Sequence, residues 1–213
     1  MCGRYYVDED VLRDIRRIVN GIECGYREET AWEPGAVKGS TGVEKFTGDV
    51  YPSQRAWVLL DQEGTVASSA MRWGFPPYQG RGLLINARAE TILEKRTFRE
   101  SIRHRRLAIP ARHFYEWNQN KEKAVCYQAG KPTLYLAGCY DWLEDEKRFV
   151  VITTGANENL ARVHDRMPLL LEESELKTWL RDAVAAEAIL RREPAPAQYR
   201  MEFQQINLFD GML

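Results

Sequence analysis

The chain has 213 residues, 44% of them hydrophobic and 29% charged, with a formal net charge of −1 at pH 7. This composition is typical of a folded protein rather than a disordered one, and the length suits one large domain or two small ones. The balanced charge gives no overall sign of a nucleic-acid-binding protein, so any basic surface must be local.

Cysteine spacing and hydropathy exclude several classes of protein. The four cysteines form no Cys-x-x-Cys pair and no Cys/His metal spacing, so neither a metal nor another cofactor is expected. No apolar run approaches the ~20 residues that a membrane span needs. Without a signal peptide, we expect a cytoplasmic protein with free thiols.

The first predicted element is an amphipathic helix over residues 8–20, which places Val11, Ile15, Ile18 and Val19 on one face. A Gly-, Glu- and Pro-rich loop is expected over 21–55. A strand pair at 56–60 and 65–73, a short strand at 83–85 and a basic helix over 90–103 follow.

The second half of the chain is predicted to be rich in strands. Turn residues separate alternating apolar segments at 106–110, 114–118, 124–128, 133–140 and 149–154. Two helices are predicted at 172–181 and 183–191, and a last strand near 201–207. With no convincing linker, the pattern favours a single α+β domain over 1–213, with a C-terminal strand and tail over 181–213.

Cys2 is the most distinctive single residue, because it directly follows Met1. Removal of Met1 would leave a free α-amine and a thiol on adjacent carbons. Such a pair can form an imine with an aldehyde and then close a thiazolidine ring. The amine has a reference pKa of about 7.7–8.0, so a substantial fraction is unprotonated near neutral pH. Judged alone, Cys2 could equally be a packed residue without chemistry.

Three polar residues stand out from their surroundings. Glu116 lies among large apolar side chains, where desolvation would raise its pKa and suit it to proton transfer; an exposed carboxylate on an edge strand is the alternative. Asn86 follows an apolar run and could present its amide to a reacting group, or it could cap a turn. His164, beside Asp165 and Arg166, could act as an acid or a base, or be a loop residue bonded to backbone.

A basic run follows the aromatic residues Trp73, Phe75 and Tyr78. Arginine clusters bind phosphates and aromatic rings stack on bases, so the run could form a nucleic-acid surface. A solvated helix face is the alternative. The run comprises Arg96, Arg99, Arg103, Arg105, Arg106 and Arg112.

Five motifs occur together in a fixed order. They are Cys2-Gly3-Arg4, Trp73-Gly74, Asn86-Ala87-Arg88-Ala89-Glu90-Thr91, Phe114-Tyr115-Glu116-Trp117 and His164-Asp165-Arg166-Met167-Pro168. The ordered set resembles the SRAP family, the SOS response-associated peptidases, also described as abasic-site processing proteins. The resemblance runs from Cys2 to about residue 180. It implies an α+β fold with a strand-rich, barrel-like core, flanking helices and a DNA channel.

The resemblance also implies a function. SRAP proteins recognise abasic sites in single-stranded DNA and form a covalent crosslink through the N-terminal cysteine, with lyase, crosslink-reversal and autopeptidase activities associated. The implied catalytic residues are Cys2, Asn86, Glu116 and His164. The implied DNA-binding residues are Arg4, Pro52, Trp73, Arg88, Arg96 and Arg166. The implied partner is single-stranded DNA that contains abasic sites, and a monomer that binds neither membrane nor metal is expected.

These roles predict a mechanism. Glu116 would accept a proton during opening of the abasic sugar and from the Cys2 amine. His164 would exchange a proton with the departing sugar oxygen, and Asn86 would align the amine.

Other functions stay open from the sequence. A Cys2–His164 dyad would make a thiol peptidase, since such dyads are defined by geometry rather than by order in the chain. A non-covalent module that reads damaged DNA would bind in a salt-dependent way without Cys2. No role is predicted for the loop over 21–50 or for the C-terminal tail.

Overall fold

The computed structural model of the protein describes residues 2–20, 46–78 and 80–202. The strands in these ranges are β1 (Tyr5–Val7), β2 (Gly48–Val50), β3 (Arg55–Gln62), β4 (Thr65–Trp73), β5 (Asn86–Arg88), β6 (Arg106–Ala111), β7 (His113–Trp117), β8 (Lys123–Tyr127), β9 (Leu134–Leu143), β10 (Glu146–Gly155), β11 (Arg166–Pro168), β12 (Leu170–Leu171) and β13 (Gln198–Met201). The α-helices are α1 (Glu9–Val19), α2 (Arg99–His104), α3 (Leu176–Arg181) and α4 (Ala183–Arg191). The predicted α+β class is confirmed.

Five of the strands close into a barrel. Their hydrogen-bonded order is β3–β4–β10–β9–β6 and back to β3, and each pair is antiparallel except β4 with β10. The expected barrel-like core is therefore confirmed. The interior of so small a barrel has room only for side chains, and Gly138 of β9 lies where space is tightest. A Cβ atom there would lie 2.6 Å from Leu107 Cδ1 and 2.7 Å from both Ile109 Cδ1 and the Val150 carbonyl oxygen.

A second, antiparallel sheet carries the N-terminal part of the chain. Its order is β13–β8–β7–β1–β2. One row across it pairs Tyr5 with Phe114 and Phe114 with Cys126, and all three side chains are completely buried. This inner face belongs to the same buried core as the barrel, so residues on it are shielded from water.

Helix α1 confirms the first predicted element. It begins after Asp8, whose carboxylate accepts a hydrogen bond from the Val11 amide at 3.0 Å, as a helix N-cap does. Val11, Leu12 and Ile15 are buried, which fixes one face of the helix against the core.

The helix predicted over 90–103 is wrong in its first part, since only Arg99–His104 is helical and the residues before it form turns. Contacts with β10 and with Arg166 fix the segment that precedes α2 in a non-helical conformation. The Ala89 amide donates to the Thr153 carbonyl oxygen at 2.8 Å, and Glu90 pairs with Arg166. These contacts outweigh the helical propensity of the segment.

The short strand predicted at 83–85 lies one step later, as β5. It pairs in parallel with β10, and Asn86 lies opposite Val151. Leu84 forms only an isolated bridge with Phe75. Asn86 is therefore a residue of the sheet rather than a residue beyond a strand end.

The other predicted strands are confirmed with slightly different bounds, and the helix at 183–191 is confirmed as α4. The helix predicted at 172–181 begins with a 3-10 turn at Glu173–Glu175 before α3. The last strand ends at Met201, earlier than predicted, and residues 203–207 lie outside the described ranges, as does the 21–45 part of the predicted loop. Within the described ranges, none of the helices has the length and apolar character that crossing a membrane requires.

Candidate active site

Cys2 is held in the core at the start of β1. Its side chain is completely buried, and its thiol donates to the Arg4 carbonyl oxygen at a sulfur–oxygen distance of 3.8 Å. Its own carbonyl oxygen accepts a hydrogen bond from Asn86 Nδ2 at 2.9 Å. The backbone of Cys2 is thus fixed by a residue that lies 84 positions away in the sequence.

Asn86 is itself held by the sheet and by a buried tryptophan. Trp73 Nε1 donates to the carbonyl oxygen of Ile85, the preceding residue, at 2.9 Å. Asn86 Nδ2 is engaged by Cys2, whereas its buried Oδ1 has no hydrogen-bond partner in the described part of the chain. That oxygen can accept one further N–H or O–H group near the N-terminus.

Glu116 lies on the inner face of β7. Only 2% of its surface is exposed, so the alternative of a solvated edge-strand carboxylate is excluded. Burial raises the pKa of Glu116 from 4.5 to about 7. A carboxyl group with that pKa can both give and take a proton near neutral pH.

Burial and the charge of Glu116 together raise the pKa values of two thiols. Burial, and after it the charge of Glu116, holds the pKa of Cys2 well above its usual value. The same two causes, in the same order, raise the pKa of Cys126, which the sequence did not single out. Cys2, Glu116 and Cys126 therefore lie close enough to interact electrostatically. Among the described residues, no three His, Cys, Asp or Glu side chains are grouped so that they could hold a metal ion.

His164 borders a cavity of about 710 Å³, which Trp117 and Asn118 also line. Its Nδ1 accepts the Arg166 backbone N–H at 2.9 Å, so the neutral imidazole carries its proton on Nε2. Asp165 Oδ1 lies 3.0 Å from the same nitrogen, but that side chain is 86% exposed and its charge is screened by water. Burial lowers the pKa of His164, which favours the neutral ring, whose Nε2–H can donate a hydrogen bond.

Arg166 and Arg88 lie on neighbouring elements with different surroundings. Arg166 makes a bidentate ion pair with Glu90, at 2.7 and 2.9 Å, and also donates to the Thr153 carbonyl oxygen at 2.8 Å. Arg88 on β5 is exposed, and its side chain makes no hydrogen bond or ion pair with another described residue. Of these two arginines, Arg88 has the guanidinium that is open to a phosphate.

Arg4 is enclosed by rings. Its guanidinium carbon lies 4.9 Å from the ring centroid of Tyr51 and 5.1 Å from those of Tyr115 and Trp117. It also forms an ion pair with Asp49 at 3.2 Å. This cation–aromatic cluster fixes Arg4, and through it the carbonyl oxygen that accepts the Cys2 thiol.

The sequence matches the family model of the SOS response associated peptidases (SRAP) over residues 1–207. The chain belongs to the SRAP family. Among its relatives is the abasic site processing protein YoqW of Bacillus subtilis, which is 33% identical over 146 residues. That match covers 62% of this chain, and the chain spans 65% of the length of YoqW. The abasic site processing protein YedK of Escherichia coli is 24% identical over 147 residues, or 65% of this chain and 66% of YedK.

Two solved structures share the fold of this chain along nearly its whole length. A phage-related protein from Bordetella bronchiseptica matches with a TM-score of 0.71 at 21% identity and covers 95% of each chain. A second protein from the same organism matches with a TM-score of 0.70 at 19% identity, covering 95% of this chain and all of that one. At such identities the likeness bears on the fold alone.

Trp73 of this SRAP chain lies in the core, whereas the sequence predicted a contact with DNA. Its side chain is completely buried, 5.3 Å from the Tyr5 ring and 6.2 Å from the Phe149 ring. No ring face is left for a base to stack on, so the expected contact with DNA is corrected to support of Asn86 through Ile85. Pro52 is half-buried in the turn before β3.

The basic run does not form one nucleic-acid surface. Arg106 is buried, and its guanidinium donates to backbone carbonyls, among them that of Trp179 at 2.6 Å. Arg105 pairs with Asp141 at 3.0 Å. Arg96 is exposed in the turns before α2, where it remains a predicted DNA contact.

Proposed function

We propose that this protein captures the aldehyde of an abasic site in single-stranded DNA by forming a thiazolidine with Cys2. The observation that carries the proposal is the joint burial of Cys2 and Glu116 at the N-terminus, with the Cys2 carbonyl held by Asn86. The relatives YoqW and YedK are named as abasic site processing proteins, which agrees with the proposal.

The proposed reaction begins after removal of Met1. The Cys2 amine attacks the aldehyde carbon of the ring-opened sugar, and loss of one water molecule gives an imine. The Cys2 sulfur then adds to the imine carbon, its proton passes to the nitrogen by way of Glu116, and the five-membered ring closes. One water is released and no electrons are exchanged, so no redox partner is required.

In this scheme Glu116 carries the proton transfers and His164 supplies a hydrogen bond. Because its pKa lies near 7, Glu116 can take a proton from the attacking amine and return it to the hydroxyl that leaves as water. The Nε2–H of the neutral His164 ring donates a hydrogen bond to the sugar oxygen as the ring opens, and that oxygen receives the proton that Glu116 takes from the sugar hydroxyl. The Oδ1 of Asn86 accepts an N–H of the α-amine, which reduces the entropic cost of aligning it. Strand cleavage, crosslink reversal and removal of Met1 would use the same groups.

A thiol peptidase built on Cys2 and His164 is the less favoured function. Nucleophilic cysteines have depressed pKa values, whereas burial raises that of Cys2. The Nδ1 of His164 accepts a backbone N–H, so that nitrogen cannot serve as a base without breaking the contact. If the α-amine reacts first, the reaction needs neither a thiolate at Cys2 nor a free Nδ1 on His164.

The proposed partner is a single strand, because an unpaired abasic nucleotide enters a pocket without breaking a base pair. Exposed Arg88 and Arg96 would contact phosphates and supply affinity that is independent of sequence and sensitive to salt. We expect the protein to act as a monomer in the cytoplasm, where thiols stay reduced.

The test is a denaturing gel of purified protein, with Met1 removal verified by mass, and single-stranded DNA that carries one abasic site. Wild type should give a shifted band, and Cys2→Ala should give none while still binding DNA. Protein acetylated at its N-terminus should also give no shifted band, and this result would distinguish capture by the amine from chemistry of the thiol alone. Absence of the band with Met1 removed would contradict the proposal and leave a non-covalent binder.

A further inference from the structure

The outer face of β7 carries a continuous row of rings. Trp117, Tyr115 and His113 alternate along the strand, and Tyr6 of β1 continues the row beside His113. Neighbouring ring centroids are 6.5 Å apart for Tyr115–Trp117, 4.9 Å for His113–Tyr115 and 4.9 Å for Tyr6–His113. We name these four residues the outer-face row.

Cations cover the part of this row that lies nearest the candidate active site. Arg4 lies over the rings of Tyr115 and Trp117, and Lys123 Nζ lies 4.9 Å from the Tyr115 centroid. Asp49 pairs with Arg4, and Glu202 pairs with Lys123. The rings here are thus covered and both covering cations have carboxylate partners, so unpaired positive charge for a ligand must lie farther along the row.

A basic cavity of about 440 Å³ lies at the other end of the row. Its cationic lining residues are Arg112, Lys131 and Arg200, His113 also lines it, and none of the described carboxylates does. Asp8 faces Arg112 at 3.6 Å, and Glu172 pairs with Lys131. Arg200 on β13 is exposed, and its side chain makes no hydrogen bond or ion pair with a described residue.

The distance between this cavity and the active site suits a short length of DNA. His113 precedes Glu116 by three residues on β7, which corresponds to about 10 Å along an extended strand. At the rise of about 3.4 Å per nucleotide in one strand of a duplex, that is about three stacked nucleotides, and fewer in an extended strand. Trp117, at the end of β7, lines the cavity that His164 also borders, so a strand that leaves this cavity meets the outer-face row at Trp117.

We infer that the substrate strand continues from the abasic site along the outer-face row and places a backbone phosphate in the cavity of Arg112, Lys131 and Arg200. This inference rests on the proposed function and adds a second phosphate subsite on the opposite face of the sheet. Arg200 is the principal contact, because the other two cations already have carboxylate partners.

The test measures binding by fluorescence anisotropy in a Cys2→Ala background, where no crosslink can form. Oligonucleotides carry one abasic site with zero to six added nucleotides on either the 5′ or the 3′ side. Affinity should rise about tenfold once roughly three nucleotides are present on one side. Arg200→Glu should lose this gain, and Arg200→Ala should lower the salt slope for long strands by about 0.7.

Arg191→Glu is the matched control, because Arg191 is an exposed arginine on α4 that pairs only with Glu187 among the described residues. Arg191→Glu should keep the full increase in affinity with oligonucleotide length. Equal affinity of Arg200→Glu and wild type for long strands would overturn the inference. A loss that does not depend on length would also overturn it and would indicate a site for a separate phosphate ligand. Anisotropy requires no chemistry, so failure of covalent capture would contradict the proposed function alone.

Discussion

Replacing Glu116 with Gln should change how the stability of the protein depends on pH. Burial raises the pKa of Glu116 from 4.5 to about 7. Below pH 4.5 the carboxyl group is neutral in both the folded and the unfolded chain, and its burial carries no charge penalty. Between pH 4.5 and 7 the unfolded chain releases the proton while the folded chain keeps it, so the free energy of unfolding falls as the pH rises.

The size of this effect follows from the pKa. Each pKa unit corresponds to about 1.4 kcal/mol, so ionised Glu116 costs the folded protein about 3 kcal/mol well above pH 7. Part of that loss already occurs below pH 5. Between pH 5 and pH 8, wild type should therefore lose about 2 to 3 kcal/mol that Glu116→Gln does not lose.

Urea unfolding followed by tryptophan fluorescence at pH 5 and pH 8 measures this difference directly. Glu94→Gln is the control, because Glu94 is exposed and its replacement should leave the pH dependence of wild type unchanged. If Glu116→Gln and wild type lose stability in parallel between the two pH values, burial does not raise the pKa of Glu116. The assignment of Glu116 as the proton-transfer group would then lack its physical basis.

Three further changes have defined outcomes. Asn86→Ala should slow crosslinking about tenfold at saturating DNA, because the Cys2 carbonyl loses its donor; an unchanged single-turnover rate would remove Asn86 from the mechanism. Arg166→Ala should lower the free energy of unfolding by about 1–2 kcal/mol, and Glu90→Gln by less, since the Thr153 contact remains; equal losses in urea unfolding would contradict this. Gly138→Ala should destabilise the barrel by about 1–3 kcal/mol through overpacking, and a variant as stable as wild type would show that β9 can shift.

The locally encoded parts of the fold were predictable. Helix α1 and the strand pair β3–β4 follow from patterns within about 20 residues, and both are confirmed. Closure of the barrel was expected only through the family resemblance. It depends on the parallel pairing of Arg72 and Trp73 in β4 with Arg148 and Phe149 in β10, and no local pattern specifies which distant strands pair.

The candidate site was predictable as a set of residues but not as an arrangement. The motifs pointed to Asn86, yet only the fold shows that its Nδ2 binds the Cys2 carbonyl oxygen and leaves Oδ1 available. Trp73 is aromatic and precedes the basic run, and the family resemblance implied a contact with DNA, but its position in β4 directs it into the core. The charge state of Glu116 likewise depends on burial, which becomes visible only with the fold.

The electrostatics of the site favour one order of events in the proposed chemistry. Burial and the charge of Glu116 keep the Cys2 thiol protonated at neutral pH, whereas an α-amine with a reference pKa of about 7.7–8.0 is partly unprotonated there. The amine is therefore the first nucleophile, and the thiol reacts only when an imine lies next to it and Glu116 can take its proton. Before DNA binds, the same burial should make the thiol react slowly with alkylating agents. The burial that disfavours a thiol peptidase is thus compatible with the proposed reaction of Cys2 with an aldehyde.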